Sequence, residues 1–239
     1  MKKAVQTAAD SERKKKSRVF IVDDHPLVRE RLVALIEEQE DMEICGAAQE
    51  SRKALDLIAA SNPNVVTVEI SLPKGPNGLE LIKDLKTRFP AIRTLVLSMH
   101  DEFLYAERAI RAGAAGYLSK VEPSEKVLVA LRQIIEGKIY LSENLTASIV
   151  GTFLGGRAVA KSSASVERLS DRELEVFELI GRGQTSRQIS EDLRLDAKTI
   201  ETYRGRIKSK LGLRSATELH QKALQWIAGI ADSGRTSTP

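Results

Sequence analysis

Between Arg18 and about Gly137 one pattern repeats five times: a short apolar run, then a segment with helical periodicity. "RVFIVD" precedes "PLVRERLVALIEE", and "MEICGAA" precedes "SRKALDLIAAS". "VVTVEI" leads through a Pro/Gly loop to "GLELIKDLKTRF". "RTLVLS" precedes "EFLYAERAIRAG", and "GYLS" precedes "PSEKVLVALRQIIEG". Strands that alternate with helices pair in parallel, because each crossover carries the chain back to the same edge of the sheet. The runs containing Val19, Ile21 and Val22, and Val65, Val66, Val68 and Ile70, are apolar enough for strands buried on both faces. The first half is therefore expected to be a five-stranded, doubly wound parallel α/β sheet.

The rhythm stops after Tyr140. "SENLTASIVGTFL" predicts one more helix, and "GGRAVAKSSASVER" has linker composition. From Val166 only helical signals remain. Ser170 with Glu173, Thr185 with Gln188 and Ser215 with Glu218 have the spacing of capping boxes. They frame four helices, near 171–181, 186–193, 197–211 and 216–229. The second and third are separated only by "RLD", which is compatible with a helix-turn-helix or with a plain four-helix bundle. The expected division is a basic tail over 1–17, the α/β domain over 18–138, a linker over 139–165, the helical domain over 166–230 and a tail over 231–239.

In an open parallel sheet, ligands gather beyond the carboxyl ends of the strands. Those ends carry Asp23 and Asp24, Glu69 (read as the last-but-one residue of its strand), Ser98 and Lys120. Clustered carboxylates repel unless a cation lies among them, so Asp23 and Asp24 suggest a hard-metal site, most readily Mg²⁺. Lys120 could neutralise Glu69 or an added phosphoryl group, and Ser98 could hydrogen-bond to such a group.

"IVDDHPLVRERL", "VLSMHDE" and "AGAAGYLSK" resemble the receiver domain of two-component response regulators, over residues 18–138. The resemblance implies that Asp23 and Asp24 hold Mg²⁺, that Ser98 and Lys120 read a phosphorylated state, and that Tyr117 is the switch aromatic. It places Glu69 where the family has its phospho-acceptor Asp. The loop "LPKGPNGLE" is also one residue longer than the family's usual loop, which supplies a backbone carbonyl to the metal. The extra methylene of Glu moves the carboxylate outward by roughly 1.3–1.5 Å. An ångström of misplacement can cost about 100-fold in nucleophilic attack. An atypical receiver is expected, not phosphorylated by the ordinary route, with Mg²⁺ binding weakened or lost. Glu69 would act as a partial phosphoryl mimic, with one charge where a phosphoryl group brings about two.

"LSDRELEVFELIGRGQTSRQISEDLRLDAKTIETYRGRIKSKLGL" resembles the LuxR-type helix-turn-helix domain, which places the whole chain with the NarL/FixJ response regulators. The residues agree with that reading. Ile200, Tyr203, Ile207 and Leu211 share one face of the third helix and should pack inward. Lys198, Thr199, Thr202, Arg204, Arg206, Lys208 and Lys210 are the DNA-binding candidates, with cations for phosphates and short polar groups for base edges. Trp226, Leu219, Ala223 and Ile227 could form core or dimer surface. The family implies a homodimer on duplex DNA.

Composition limits the other classes. The net charge of +4 permits a nucleic-acid partner without requiring one, and Cys45, the single cysteine, excludes an internal disulfide and reads as a half-buried strand thiol. No apolar run reaches the ~20 residues of a membrane span, so a cytoplasmic protein with no membrane partner is expected. The leading function is a non-enzymatic, DNA-binding transcription regulator. Alternatives are a receiver that still accepts and hydrolyses a phosphoryl group, or an interaction module beside a constitutive DNA-binding domain. A sensor kinase or another receiver-binding protein is the upstream partner implied.

Overall fold

The computed structural model describes residues 16–147 and 166–235. The expected basic tail, apart from its last two residues, and residues 148–165 of the expected linker lie outside them; the helix expected in that linker begins within them, over residues 143–147. Five parallel strands form one sheet: β1 (Ser17–Val22), β2 (Met42–Ala48), β3 (Val65–Val68), β4 (Arg93–Ser98) and β5 (Gly116–Ser119), in the order β2-β1-β3-β4-β5. The helices between them are α1 (Pro26–Glu37), α2 (Ser51–Ser61), α3 (Gly78–Arg88) and α4 (Glu102–Ala112), and α5 (Ser124–Ile135) follows β5.

Alternation along β1 divides the core. Val19 and Ile21 point to the face covered by α1 and α5, where they meet Leu35, Ile36, Leu131 and Ile134. Phe20 and Val22 point to the other face, against Ala54, Ile58, Leu79 and Ile82 of α2 and α3. Both sides are dry over the central strands, so β1, β3 and β4 read as apolar runs, whereas the edge strand β2 is only partly buried. Gly46 in β2 gives way to the Phe20 ring, which a Cβ there would meet at 2.6 Å. Cys45 is half-buried in β2, and its thiol donates to the Val19 carbonyl.

The strand before Glu69 is shorter than the sequence suggests. β3 ends at Val68, so Glu69 is the first residue beyond it. Its amide still donates to the Val22 carbonyl at 2.9 Å, but its carboxylate turns back onto the amides of Ile70 and Ser71. These local bonds compete with continuation of the ladder. The loop that follows turns through Lys74 at φ 55° and Gly75 at φ 136°, then enters α3 through an Asn77–Glu80 capping box. Gly78 starts α3 so close to the preceding turn that an added Cβ would lie 2.0 Å from the Glu69 carbonyl oxygen.

The second domain contains α6 (Asp171–Gly181), α7 (Ser186–Leu193), α8 (Ala197–Leu211) and α9 (Ala216–Arg235). The Ser170–Glu173 and Thr185–Gln188 capping boxes form as expected. The third is displaced: Ser215 Oγ accepts from the Glu218 amide, but the Glu218 carboxylate takes the amide of Arg214. Helix α9 runs to Arg235, past the end expected near 229. Leu219, Ala223 and Trp226 face inward, and the Trp226 ring lies 5.4 Å from Phe177 of α6.

Candidate functional site

Glu69, Ser98 and Lys120 converge at the carboxyl edge of the sheet, as their strand-end positions require. Ser98 ends β4 and donates its hydroxyl to Glu69 Oε1. The same oxygen accepts the Ile70 amide at 2.6 Å, and Glu69 Oε2 pairs with Lys120 Nζ at 2.6 Å. Lys120 also reaches Asp23 Oδ2 at 2.5 Å. All these groups are nearly excluded from water. Burial works against the charged forms, so it raises the Asp23 carboxyl despite the help of Lys120. Burial likewise opposes the Lys120 ammonium, but Glu69 and Asp23 outweigh it and hold that ammonium above its ordinary range. Tyr117 is wholly buried and donates its phenol to the His100 carbonyl at 2.8 Å.

Asp23, Asp24 and His25 bring ligand atoms within 4.8 Å of one another. Asp24 Oδ1 is buried and makes no hydrogen bond, although His25 Nδ1 is 2.9 Å away. An orphaned carboxylate oxygen of this kind suits a hard cation. Asp23 Oδ1 accepts the His25 amide and Oδ2 holds Lys120. The acid pair thus fits Mg²⁺ in ligand chemistry; Asp23 and Asp24 would hold such an ion, with Asp23 also paired to the Lys120 ammonium.

In the second domain, Ile200 and Ile207 are fully buried, with Tyr203 and Leu211 packed beside them. This turns Lys198, Thr202, Gly205, Arg206 and Ser209 outward together. The other candidates are placed differently. Thr199 donates its hydroxyl to Asp196, the N-cap of α8, and Lys208 is half-buried. Arg204 is mostly covered and lies 3.6 Å from Glu201, and Lys210 pairs with Glu173 at 2.5 Å.

Residues 19–132 match the response regulator receiver domain, and residues 167–223 match the bacterial regulatory proteins of the luxR family. The oxygen regulatory protein NreC of Staphylococcus aureus (strain bovine RF122 / ET3-1) is 34% identical over 210 residues, covering 87% of this chain and 97% of the relative. This chain is a LuxR-type response regulator. Among solved structures, a LuxR-family two-component response regulator from Aurantimonas sp. SI85-9A1 is 29% identical with a TM-score of 0.55, covering 59% of this chain and 99% of that one. RcsB, solved as two dimers bound to two parallel DNAs, is 25% identical with a TM-score of 0.53, covering 87% of this chain and 98% of that one. A response regulator of this family is a DNA-binding transcription regulator, and receiver domains in general bind Mg²⁺ for phosphorylation.

In this response regulator the two domains are packed together through α6, which is buried almost all round. Its apolar side, with Leu174, Phe177 and Ile180, belongs to the second domain's core. Its polar side meets the receiver. Arg172 donates to the carbonyls of Leu72 and Gly75 at 3.1 and 3.2 Å and pairs with Glu175 at 2.6 Å. Ser71 donates its hydroxyl to Glu175. Glu178 accepts the Tyr105 phenol at 2.7 Å and lies 2.9 Å from His100 Nδ1. Asp171 pairs with Lys83 at 2.7 Å and Arg108 at 3.1 Å. The sequence reading missed every one of these. An amphipathic helix with acids on its far face reads as solvated, and only the two-domain packing makes that face an interface.

Proposed function

We propose that this LuxR-type response regulator acts on duplex DNA as a homodimer, with a receiver that is not switched by ordinary phosphorylation at the acceptor position. The observation that carries the reading is the saturation of Glu69: one oxygen is held by Ser98 and the Ile70 amide, the other by Lys120. A nucleophile whose oxygens are engaged in this way must break an ion pair or a hydrogen bond to reach phosphorus, with its carboxylate already displaced by one methylene. Ser98 and Lys120 are the groups that would read a phosphoryl oxygen, so Glu69 occupies their attention as a partial mimic. Any Mg²⁺ held by Asp23 and Asp24 would supply charge neutralisation at this edge. Its binding is weakened because Asp23 is also bound to Lys120.

The DNA-reading role belongs to the exposed face of α8, with Lys198, Thr202 and Arg206 at its centre. Thr199, Arg204, Lys208 and Lys210 contribute at the flanks or through the phosphates. The RcsB relative bound to DNA as dimers supports both the ligand and the stoichiometry.

Intact-mass measurement after incubation with an acyl phosphate and Mg²⁺, on the parent and on Glu69→Asp, tests the receiver. The parent should remain largely unmodified while Glu69→Asp gains one phosphoryl group. Stoichiometric labelling mapped to Glu69 in the parent would overturn the reading. Duplex DNA affinity of the parent with and without the donor should be unchanged.

A further inference from the structure

His100 stands between the receiver's switch residues and the second domain, and its hydrogen bonds fix its protonation. Glu178 receives Arg182 at 2.6 Å on one oxygen and Tyr105 at 2.7 Å on the other, so it is an ionised acceptor. The His100 Nδ1 beside it must therefore carry hydrogen. The Ser71 hydroxyl has one proton, and it goes to Glu175, itself ionised against Arg172. The His100 Nε2, 2.8 Å from Ser71 Oγ, must then donate as well. Both ring nitrogens donate only in the imidazolium. A neutral ring would either set a lone pair against an oxygen that has no hydrogen to give, or draw the Ser71 proton away from Glu175.

We propose that His100 is a proton-operated latch between the two domains: the docked arrangement takes up one proton at this imidazole, and rising pH releases the second domain from the receiver. The charges around it are consistent. From α6 it faces Glu178 and Glu175, with Arg182 and Arg172 on their far sides. From the receiver it faces Tyr105, 4.5 Å between ring centroids, with Glu69 more distant and Tyr117 bonded to its carbonyl. Asp101, next along the chain, also lies within electrostatic reach of Glu178. Burial disfavours a charged ring, but Glu178, then Glu175 and Glu69, outweigh it and hold the imidazolium above its ordinary range. In the undocked state Glu175 and Glu178 leave with α6, and the ring returns toward about 6.5. The docked pKa is the higher one. The contribution of His100 to docking is therefore complete below the undocked value and is lost as pH rises through the docked value. The latch is also joined to the receiver site, since the His100 amide donates to Ser98 Oγ at 3.3 Å.

The test uses the full chain. Histidine ring NMR, with His100 identified by its loss in His100→Gln, gives its titration beside those of His25 and His220. Small-angle X-ray scattering from pH 5.5 to 8.5 gives the balance of docked and open forms. His100 should titrate above about 6.5, and the open-to-docked ratio should rise by up to about tenfold per pH unit through that titration, the limit for one linked proton. His100→Gln should remove the pH dependence, and Glu178→Gln should lower the His100 titration. Scattering that stays constant across the range, or that changes equally in His100→Gln, would overturn the proposal. If His100→Gln does not fold, the His100 titration in the parent and its shift in Glu178→Gln decide the matter. Neither readout depends on DNA binding or on phosphorylation at Glu69.

Discussion

Replacing Lys120 with Met removes the one ammonium shared by Asp23 and Glu69. Its side chain is 7% exposed and both carboxylates are 3% exposed, so water cannot substitute for it. Breaking a buried pair by removing one partner costs about 3–5 kcal/mol, because the charge left behind is uncompensated. At roughly 2–4 °C per kcal/mol for a chain of this size, the receiver should melt roughly 6–20 °C lower. Two further measurements identify the cause. Lys120→Met/Glu69→Gln leaves one unpaired acid instead of two, so it should recover about half of the loss. The single variant should also regain stability as pH falls. Burial already raises the Asp23 carboxyl and the loss of Lys120 raises it further, and a folded-state pKa above the unfolded one means the cost is relieved as the carboxyl takes up a proton. Mg²⁺ should stabilise Lys120→Met more than the parent, since Asp23 is then free. Urea unfolding followed by circular dichroism measures the free energies, and thermal unfolding by the same signal measures the melting shift. A Lys120→Met receiver within about 1 kcal/mol of the parent, or a double variant less stable than the single one, would refute the reasoning.

Gly78→Ala forces a Cβ to within 2.0 Å of the Glu69 carbonyl, and should destabilise the receiver by at least about 1–3 kcal/mol in the same urea assay. Lys198→Ala and Arg206→Ala should each weaken duplex binding and reduce the slope of log affinity against log salt by about 1, measured by fluorescence anisotropy. Docking should also fail in strong acid. Despite burial, His100, Tyr105 and Arg182 hold the Glu178 carboxyl below its ordinary value, so its contribution is present above about 4.5 and lost as pH falls through the docked value. Scattering below pH 4.5 would show the opening.

The sheet was legible because the central strands β1, β3 and β4 are buried along most of their length and each helix repeats every third or fourth residue. β2, β4 and β5 have the bounds that their apolar runs suggest. The C-terminal helices were legible from their caps, and only the Ser215 cap and the end of α9 differ. Asp23, Glu69, Ser98 and Lys120 could be brought together from strand ends alone. The bend after Val68 could not, because it depends on where the Glu69 carboxylate folds back. Glu175, Glu178, His100 and Ser71 carried no signal. Each is an ordinary surface residue until another domain covers it, and the strand and helix periods describe one element at a time.

The grip of Arg172 on the loop after β3 bears on how such a chain can diverge. Arg172 contacts main-chain carbonyls, those of Leu72 and Gly75, so this contact reads the path of the loop, while the Ser71 side chain is bonded to α6 through Glu175. Exposed side chains there, such as Lys74, can change while the left-handed turn at Lys74 and Gly75 is kept, but a deletion would withdraw a carbonyl acceptor from the buried Arg172 guanidinium and leave it with Glu175 and fewer partners. The receiver and the helix-turn-helix domain are therefore not interchangeable parts. A chimera joining this second domain to a receiver with a shorter loop is expected to inherit a mismatched seam, however well each half folds, because the carbonyls that Arg172 takes would be displaced.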